Sequence, residues 1–587
     1  MKNIVSKCIV DALVALYDYK IDVSRIVLMR TKKSFTGELS LVMHPLSKPL
    51  GQDVSSLGDA LGQYLVDNNE GVIAFNHAAG FLNLSFSHTF WYQVYQMQQN
   101  TLPKATDKPK RVLVEYGSPN TNKPLHLGHV RNCVLGRAVV NILGAVGYEV
   151  TSVQVINDRG IHICQSMAAW QLDAHGATPE SIAMKGDHFV GKYYVRYNEI
   201  YNEQKQALLD QGMDELEAKQ KAPIYQLAES MLRDWEAGDE TVRALWQRMN
   251  QWVYSGFDIT YKRLGISFDK NYYESDTYLL GKQLVLDGLD KGLFYQKTDG
   301  SIWVDLTGYD LDHKLLLRAD ATSVYMTQDI GTAVLRYQDY AFDKMVYTVA
   351  NEQDYHFEVL FKILELAGYS WAQSLVHLSY GIVLLPQGRM KSREGTVVDA
   401  DDLLDTMVAN AKSATDALGK ANDFNDDALN QLHVAVAHAA LNYWILKVEA
   451  KKDILFNPED SIAFNGNTGP FLQYTYARIR SIARKQHVDT SLLRAVPEIN
   501  AMERSIIAVL DQYNDVLYDA AESINPSVLA GYIYSLAKLY NTYYHDTPIL
   551  KADNGTLIAW RVQLSNTVAQ RIYDVCTILG IPVIERM

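Results

Sequence analysis

The sequence predicts a multidomain α/β plus α protein: a Rossmann-like parallel-sheet domain with a helical insertion, an α+β domain before it and an all-helical region after it. Three observations carry this prediction. A chain of 587 residues exceeds one hydrophobic core and points to about four domains. Strand-like "RVLVEY" (111–116) and "EVTSVQVIN" (149–157) flank "LHLGHVRNCVLGRAVVNILGAVGY", a βαβ unit of the kind that builds a parallel sheet. From about residue 401 the pattern is helical almost to Met587.

Residues 1–102 mix an amphipathic helix with strand-like runs such as "GFLNLSF", and the polar "PKATDKPK" (103–110) reads as a linker. In the βαβ unit, Leu127, Val130, Val134, Ala138 and Ile142 keep helical spacing, and Gly144 and Gly147 close the helix. Residues from about 162 to 260 are polar and helix-rich, an insertion before the sheet resumes. "KMVYTVA" (344–350) is then a strand, "HFEVLFKILELAGY" a helix and "LSYGIVLL" (378–385) another strand, so the Rossmann-like domain is placed at 111–400.

Composition sets the class. With 48% hydrophobic and 21% charged residues the chain is globular, and its net charge of −13 excludes an overall basic coat while leaving room for a local basic face. Cys8, Cys133, Cys164 and Cys576 form no C-x-x-C pair, which disfavours a zinc knuckle or a disulfide framework. Lys7 and Asp11 interrupt the apolar N-terminus, and no apolar run is long enough to span a bilayer. A cytoplasmic protein without membrane contact is therefore expected.

Three unusual polar stretches each follow a predicted strand: "GSPNTNKPLHLGH", "NEQDYH" and "PQGRMKSREG". In an open parallel sheet, ligands sit beyond the carboxyl ends of the strands, so a nucleotide is the first candidate. The first loop opens a helix near His126, where free N–H groups favour phosphate, and Gly128 lets a planar group approach the backbone. His126 and His129 lie about one turn apart and share a side. H-x-x-H alone admits a phosphate grip, a capping pair or a metal site, although no third ligand follows at zincin spacing.

"HLGH" after a strand, paired with "GRMKSREGT" far downstream, resembles the HIGH and KMSKS signatures of class I aminoacyl-tRNA synthetases. "EYGSPN", "LLRADATSVYMTQDIG" (315–331), "NEQDYHF" (351–357) and "NTGPFLQYTYARIRSIARK" (467–485) extend the resemblance to the arginine-specific, bacterial-type members over nearly the whole chain. It implies ATP-dependent ligation of L-arginine to tRNA(Arg) through an arginyl-adenylate, with Mg2+ arriving on ATP, no dedicated protein metal site, and a monomer as the family default.

The resemblance also implies roles for individual residues. Glu115, Ser118, Asn120, His126, Tyr325, Asp329 and Gln353 would contact arginine, whose guanidinium fork matches planar carboxylates. Pro119, Asn120, His126, Gly128, His129, His356 and Met390 would hold ATP. The third loop departs from KMSKS: Arg389 and Ser392 stand at its two lysine positions, so a catalytic cation is missing. Lys391 and Arg393 are adjacent candidates, and Lys123, just upstream of HIGH, is the better one. In the C-terminal region, which looks like an anticodon-binding domain, Tyr474, Arg478, Arg480, Arg484 and Lys485 would meet tRNA. The first domain resembles one that contacts the tRNA corner, with Asn83 its one candidate residue. A different class I ligase and a catalytically silent RNA-binding relative remain as rivals.

Overall fold

The computed structural model describes residues 1–32, 34–98, 108–384, 398–417, 424–485 and 496–587. At the N-terminus, the helices Lys2–Tyr17 and Val54–Asn68 pack on a four-stranded antiparallel sheet, Leu28–Arg30, Leu39–Val42, Phe81–Phe86 and Val72–Ala78 in spatial order. Gly62 lets helix and sheet meet, since a Cβ there would lie 2.2 Å from the Phe75 ring.

The central sheet has five parallel strands: β1 Arg111–Glu115, β2 Glu149–Ile156, β3 Lys270–Tyr273, β4 Lys344–Ala350 and β5 Leu375–Tyr380, in the spatial order β5-β4-β1-β2-β3. Apolar runs suit it because both faces are covered: in β1 only Arg111 is exposed. Helix α1 (Leu127–Ala145) is the β1–β2 crossover and begins where the sequence predicts, with His126 as N-cap. It stops at Val146, and Gly147 at φ +87° turns the chain into β2. Five helices between Ile161 and Leu264 separate β2 from β3.

Strand β3, "KNYY", was not expected, because four largely polar residues at the sheet edge carry no apolar run. The small antiparallel sheet Tyr295–Gln296, Ile302–Val304 and Lys314–Leu317 was also missed, because its strands are only two to four residues long and too short to show a period. It precedes α2 (Tyr325–Tyr340), which runs back to β4.

After residue 400 every described regular element is a helix save for Ile454–Leu455, which pairs with Val383–Leu384 beyond β5. Among these helices α3 (Gly469–Lys485) packs on Asp426–Leu446 and Gly555–Ile578. The N-terminal domain docks directly on this bundle: Arg504 donates to Glu38 at 2.6 Å, and Tyr95 stands edge-on to Trp560 at 4.9 Å. All four cysteines are free thiols, and no helix among the described residues is long and apolar enough to cross a membrane.

Candidate active site

A cavity of about 460 Å³ opens at the carboxyl ends of β1, β4 and β5. Gly117, Ser118, His126, Gly128 and His129 line one side, and Val349, Ala350, Ile382 and Val383 supply apolar wall. The β1–α1 loop is bent to reach it: Gly117 has φ +83° and Ser118 φ +46°, a left-handed conformation that costs energy for any residue with a Cβ. Asn132, one turn into α1, pins the bend by accepting from Gly117 N at 2.5 Å and donating to Thr348 O at 2.7 Å. Sequence reasoning did not single out Asn132, since Thr348, to which it donates, lies 216 residues away on β4.

The two histidines are brought together, with rings 3.8 Å apart. His126 Nδ1 accepts from Gly128 N and His129 Nδ1 accepts from His126 N, both at 3.1 Å. The pair is thus a helix cap, one of the readings the motif admitted, and the cap sets its chemistry. With both Nδ1 atoms used as acceptors, the neutral rings carry their protons on Nε2 and offer them as donors. Burial, helped by Lys123, lowers the His126 pKa to about 4, and burial, with His126 and Lys123 nearby, holds His129 well below the usual imidazole value. Near pH 7 both are neutral donors. Gly128 is required by this arrangement, because a Cβ would fall 2.9 Å from the His126 ring.

Behind the loop lies a second polar group. Glu115, buried at the end of β1, accepts from Ser118 Oγ at 2.8 Å and from Arg336 Nη1 at 2.6 Å. Pro119 is buried, and its carbonyl accepts from Asn157 N at 2.9 Å, while Asn120 is exposed beside Asn157. On α2, Tyr325 is 72% exposed, and Asp329 accepts from His356 Nε2 at 2.6 Å. The structure therefore brings His356 to Asp329, away from the wall of the 460 Å³ cavity. Gln353 is exposed in the turn that follows β4.

Glu274, directly after β3, is a carboxylate that sequence reasoning missed. Burial, with Asp158 and Asp329 nearby, raises its pKa to about 7 against the opposing charge of Arg159. A cation placed between Asp329 and Glu274 would relieve that repulsion. Lys123 is partly buried and lines a neighbouring cavity of about 250 Å³ that shares His126 and includes His188, Lys192 and Asp399. His188, Asp399 and Asp401 approach as metal ligands might, but Lys185 at 2.6 Å and Arg263 at 2.7 Å already neutralise Asp401, which makes the cluster an ion-pair network. Met390, Lys391 and Arg393 lie outside the described residues.

A third cavity, of about 450 Å³, lies in the C-terminal bundle and is lined by Tyr474, Arg478, Arg484, Lys485, Tyr544 and Arg586 among others. Arg478 packs over the rings of Tyr474 and Tyr544 at 4.6 and 4.9 Å. Helical spacing on α3 presents this face, so a protein of net charge −13 carries a local basic concavity. Arg480 is turned away and pairs with Glu585 at 3.0 Å. Asn83 is fully buried, with Ser40 and Asn76 engaging its amide, so it offers nothing to a partner.

Comparison with known proteins gives concordant matches. Residues 93–457 match the family model "tRNA synthetases class I (R), catalytic domain", and residues 472–587 match "DALR anticodon binding domain". The chain is 48% identical to an arginine–tRNA ligase of Bacteroides thetaiotaomicron over 99% of this chain and 98% of that protein. It is also 48% identical to one of Flavobacterium psychrophilum over the full length of both. In fold it resembles the arginyl-tRNA synthetase of Thermus thermophilus, with a TM-score of 0.79 at 24% identity and full coverage of both chains.

Proposed function

The chain belongs to the arginine-specific class I tRNA synthetases, and from that premise we propose how its cleft ligates L-arginine to tRNA(Arg). The arginine carboxylate attacks the α-phosphate of ATP, giving arginyl-adenylate and diphosphate; the terminal ribose hydroxyl of the tRNA then takes the arginyl group and AMP leaves. The observation that carries this reading is the His126–His129 pair, locked by its own cap with both Nε2–H groups free to donate. Neutral, preorganised donors beside a helix N-terminus stabilise charge that builds on phosphate oxygens without reorganising during the reaction. The apolar wall of Val349, Ala350, Ile382 and Val383 suits a planar base.

Arginine's guanidinium would lie between Asp329 and Glu274, under the Tyr325 ring, with Asn120 and Gln353 toward its α-carbon. Lysine would leave part of this acceptor set unpaired, so selectivity needs no separate editing site. Mg2+ would enter with the nucleotide, since Glu352 is the only carboxylate on the described wall of the cavity; it neutralises phosphate charge, and Lys123 supplies the cation lost from the downstream signature.

The basic cavity on α3 is placed to take anticodon-loop bases, stacked on Tyr474 or Tyr544 with Arg478, Lys485 and Arg586 near phosphates. ATP–diphosphate exchange with each amino acid, with and without tRNA(Arg), tests the whole reading. A signal for arginine alone supports it, and a signal for any other amino acid overturns it.

A further inference from the structure

Arg336 sits in the second half of α2, 2% exposed, between the rings of Tyr272 on β3 at 5.3 Å and Tyr347 on β4 at 5.6 Å. Its sequence position is two helical turns after Asp329, so one stripe of α2 carries Tyr325 and Asp329 at the rim and Arg336 in the core. Nη1 donates to Glu115 across 221 residues of chain. The other Glu115 oxygen accepts from Ser118 Oγ, and that hydroxyl accepts from Val155 N at 3.1 Å. A continuous path of hydrogen bonds therefore runs from the helix that bears Tyr325 and Asp329, through Arg336 and Glu115, to the strained turn that leads to Asn120.

We propose that Arg336 is a positioning residue for the amino-acid pocket: through Glu115 and Ser118 it holds the Gly117–Asn120 turn in register with α2. The inference rests on the assignment of that pocket to arginine. A pair that served stability alone would be a poor solution, because desolvating two charges offsets most of their attraction and apolar residues of equal volume do as well. The pairing has a second effect on selectivity. It gives Glu115 a resident guanidinium, so the incoming one is directed to Asp329 and Glu274 in place of a bare buried carboxylate.

The test uses the full-length protein with Arg336→Met, Arg336→Lys and the double variant Glu115→Gln/Arg336→Met, whose neutral pair avoids an unpaired buried charge if the single variant fails to fold. In ATP–diphosphate exchange, Arg336→Met and the double variant should raise the KM for arginine about tenfold or more and leave that for ATP within about twofold. Arg336→Lys, which keeps the charge, should recover part of the loss. A folded variant lacking Arg336 that keeps the wild-type KM for arginine overturns the proposal, and so does an equal rise for arginine and ATP. Failure of the wild-type protein to respond to arginine would instead overturn the functional reading.

Discussion

Replacing Asp329 is the most direct probe of the arginine pocket. In the free protein its side chain is about half exposed and accepts from His356 at 2.6 Å. A hydrogen bond to a charged group contributes about 1.5–3 kcal/mol, and partial solvation puts Asp329 in the lower part of that range. At about 1.4 kcal/mol per decade, Asp329→Ala should raise the KM for arginine roughly 10- to 40-fold. Asp329→Asn separates charge from geometry: it keeps an oxygen for His356 and loses only the charge facing the guanidinium. Both variants should therefore weaken arginine alike, while the KM for ATP stays within about twofold because the cavity wall near His126 is untouched. The assay is diphosphate exchange with each substrate titrated at saturation of the other. An asparagine variant with wild-type affinity for arginine, or equal losses for arginine and ATP, would refute the assignment.

Glu274 ties arginine binding to pH. Its pKa near 7 in the free protein means that the carboxylate forms as pH rises through that value, so the KM for arginine should fall between pH 6 and pH 8, and Glu274→Gln should flatten the profile. Lys123→Ala should slow adenylate formation about 10²-fold with little change in ATP affinity; exchange within a few-fold of wild type would remove Lys123 from the chemistry. Gly128→Ala should lower kcat about tenfold or more by displacing the His126 ring, with Tm changing by no more than a few degrees, because the helix preference of alanine offsets part of the lost cap. A fall in Tm with unchanged kcat would show that the glycine serves packing alone.

How far the sequence could be read follows the range of the interactions. What was legible of the β1–α1 loop is its local part: a buried apolar strand, a helix that opens at His126, and two histidines one turn apart. "KMVYTVA" was legible as a strand because a sheet covered on both faces leaves a continuous apolar run. "KNYY" was not, since an edge strand of four residues draws its order from the neighbour it pairs with. In the basic helix the residue types were visible, but the division of labour was not: Arg478 faces the cavity while Arg480 is tied to Glu585.

By itself the sequence determined the α/β class, the helical C-terminal region, the position of the helix start and the pair of histidines one turn apart beside it, while the guanidinium-binding set came only from the family resemblance. The local features follow from periodicity and spacing within one or two turns of chain. Only the tertiary structure decided which atoms are left to act. The cap consumes both Nδ1 atoms and leaves Nε2–H as donors, burial keeps the histidines neutral, and Glu115 is engaged by an arginine 221 residues away while Glu274 comes within electrostatic reach of Asp329. Desolvation and pairing across strands have no counterpart in local pattern, because they exist only once distant segments share one low-dielectric interior.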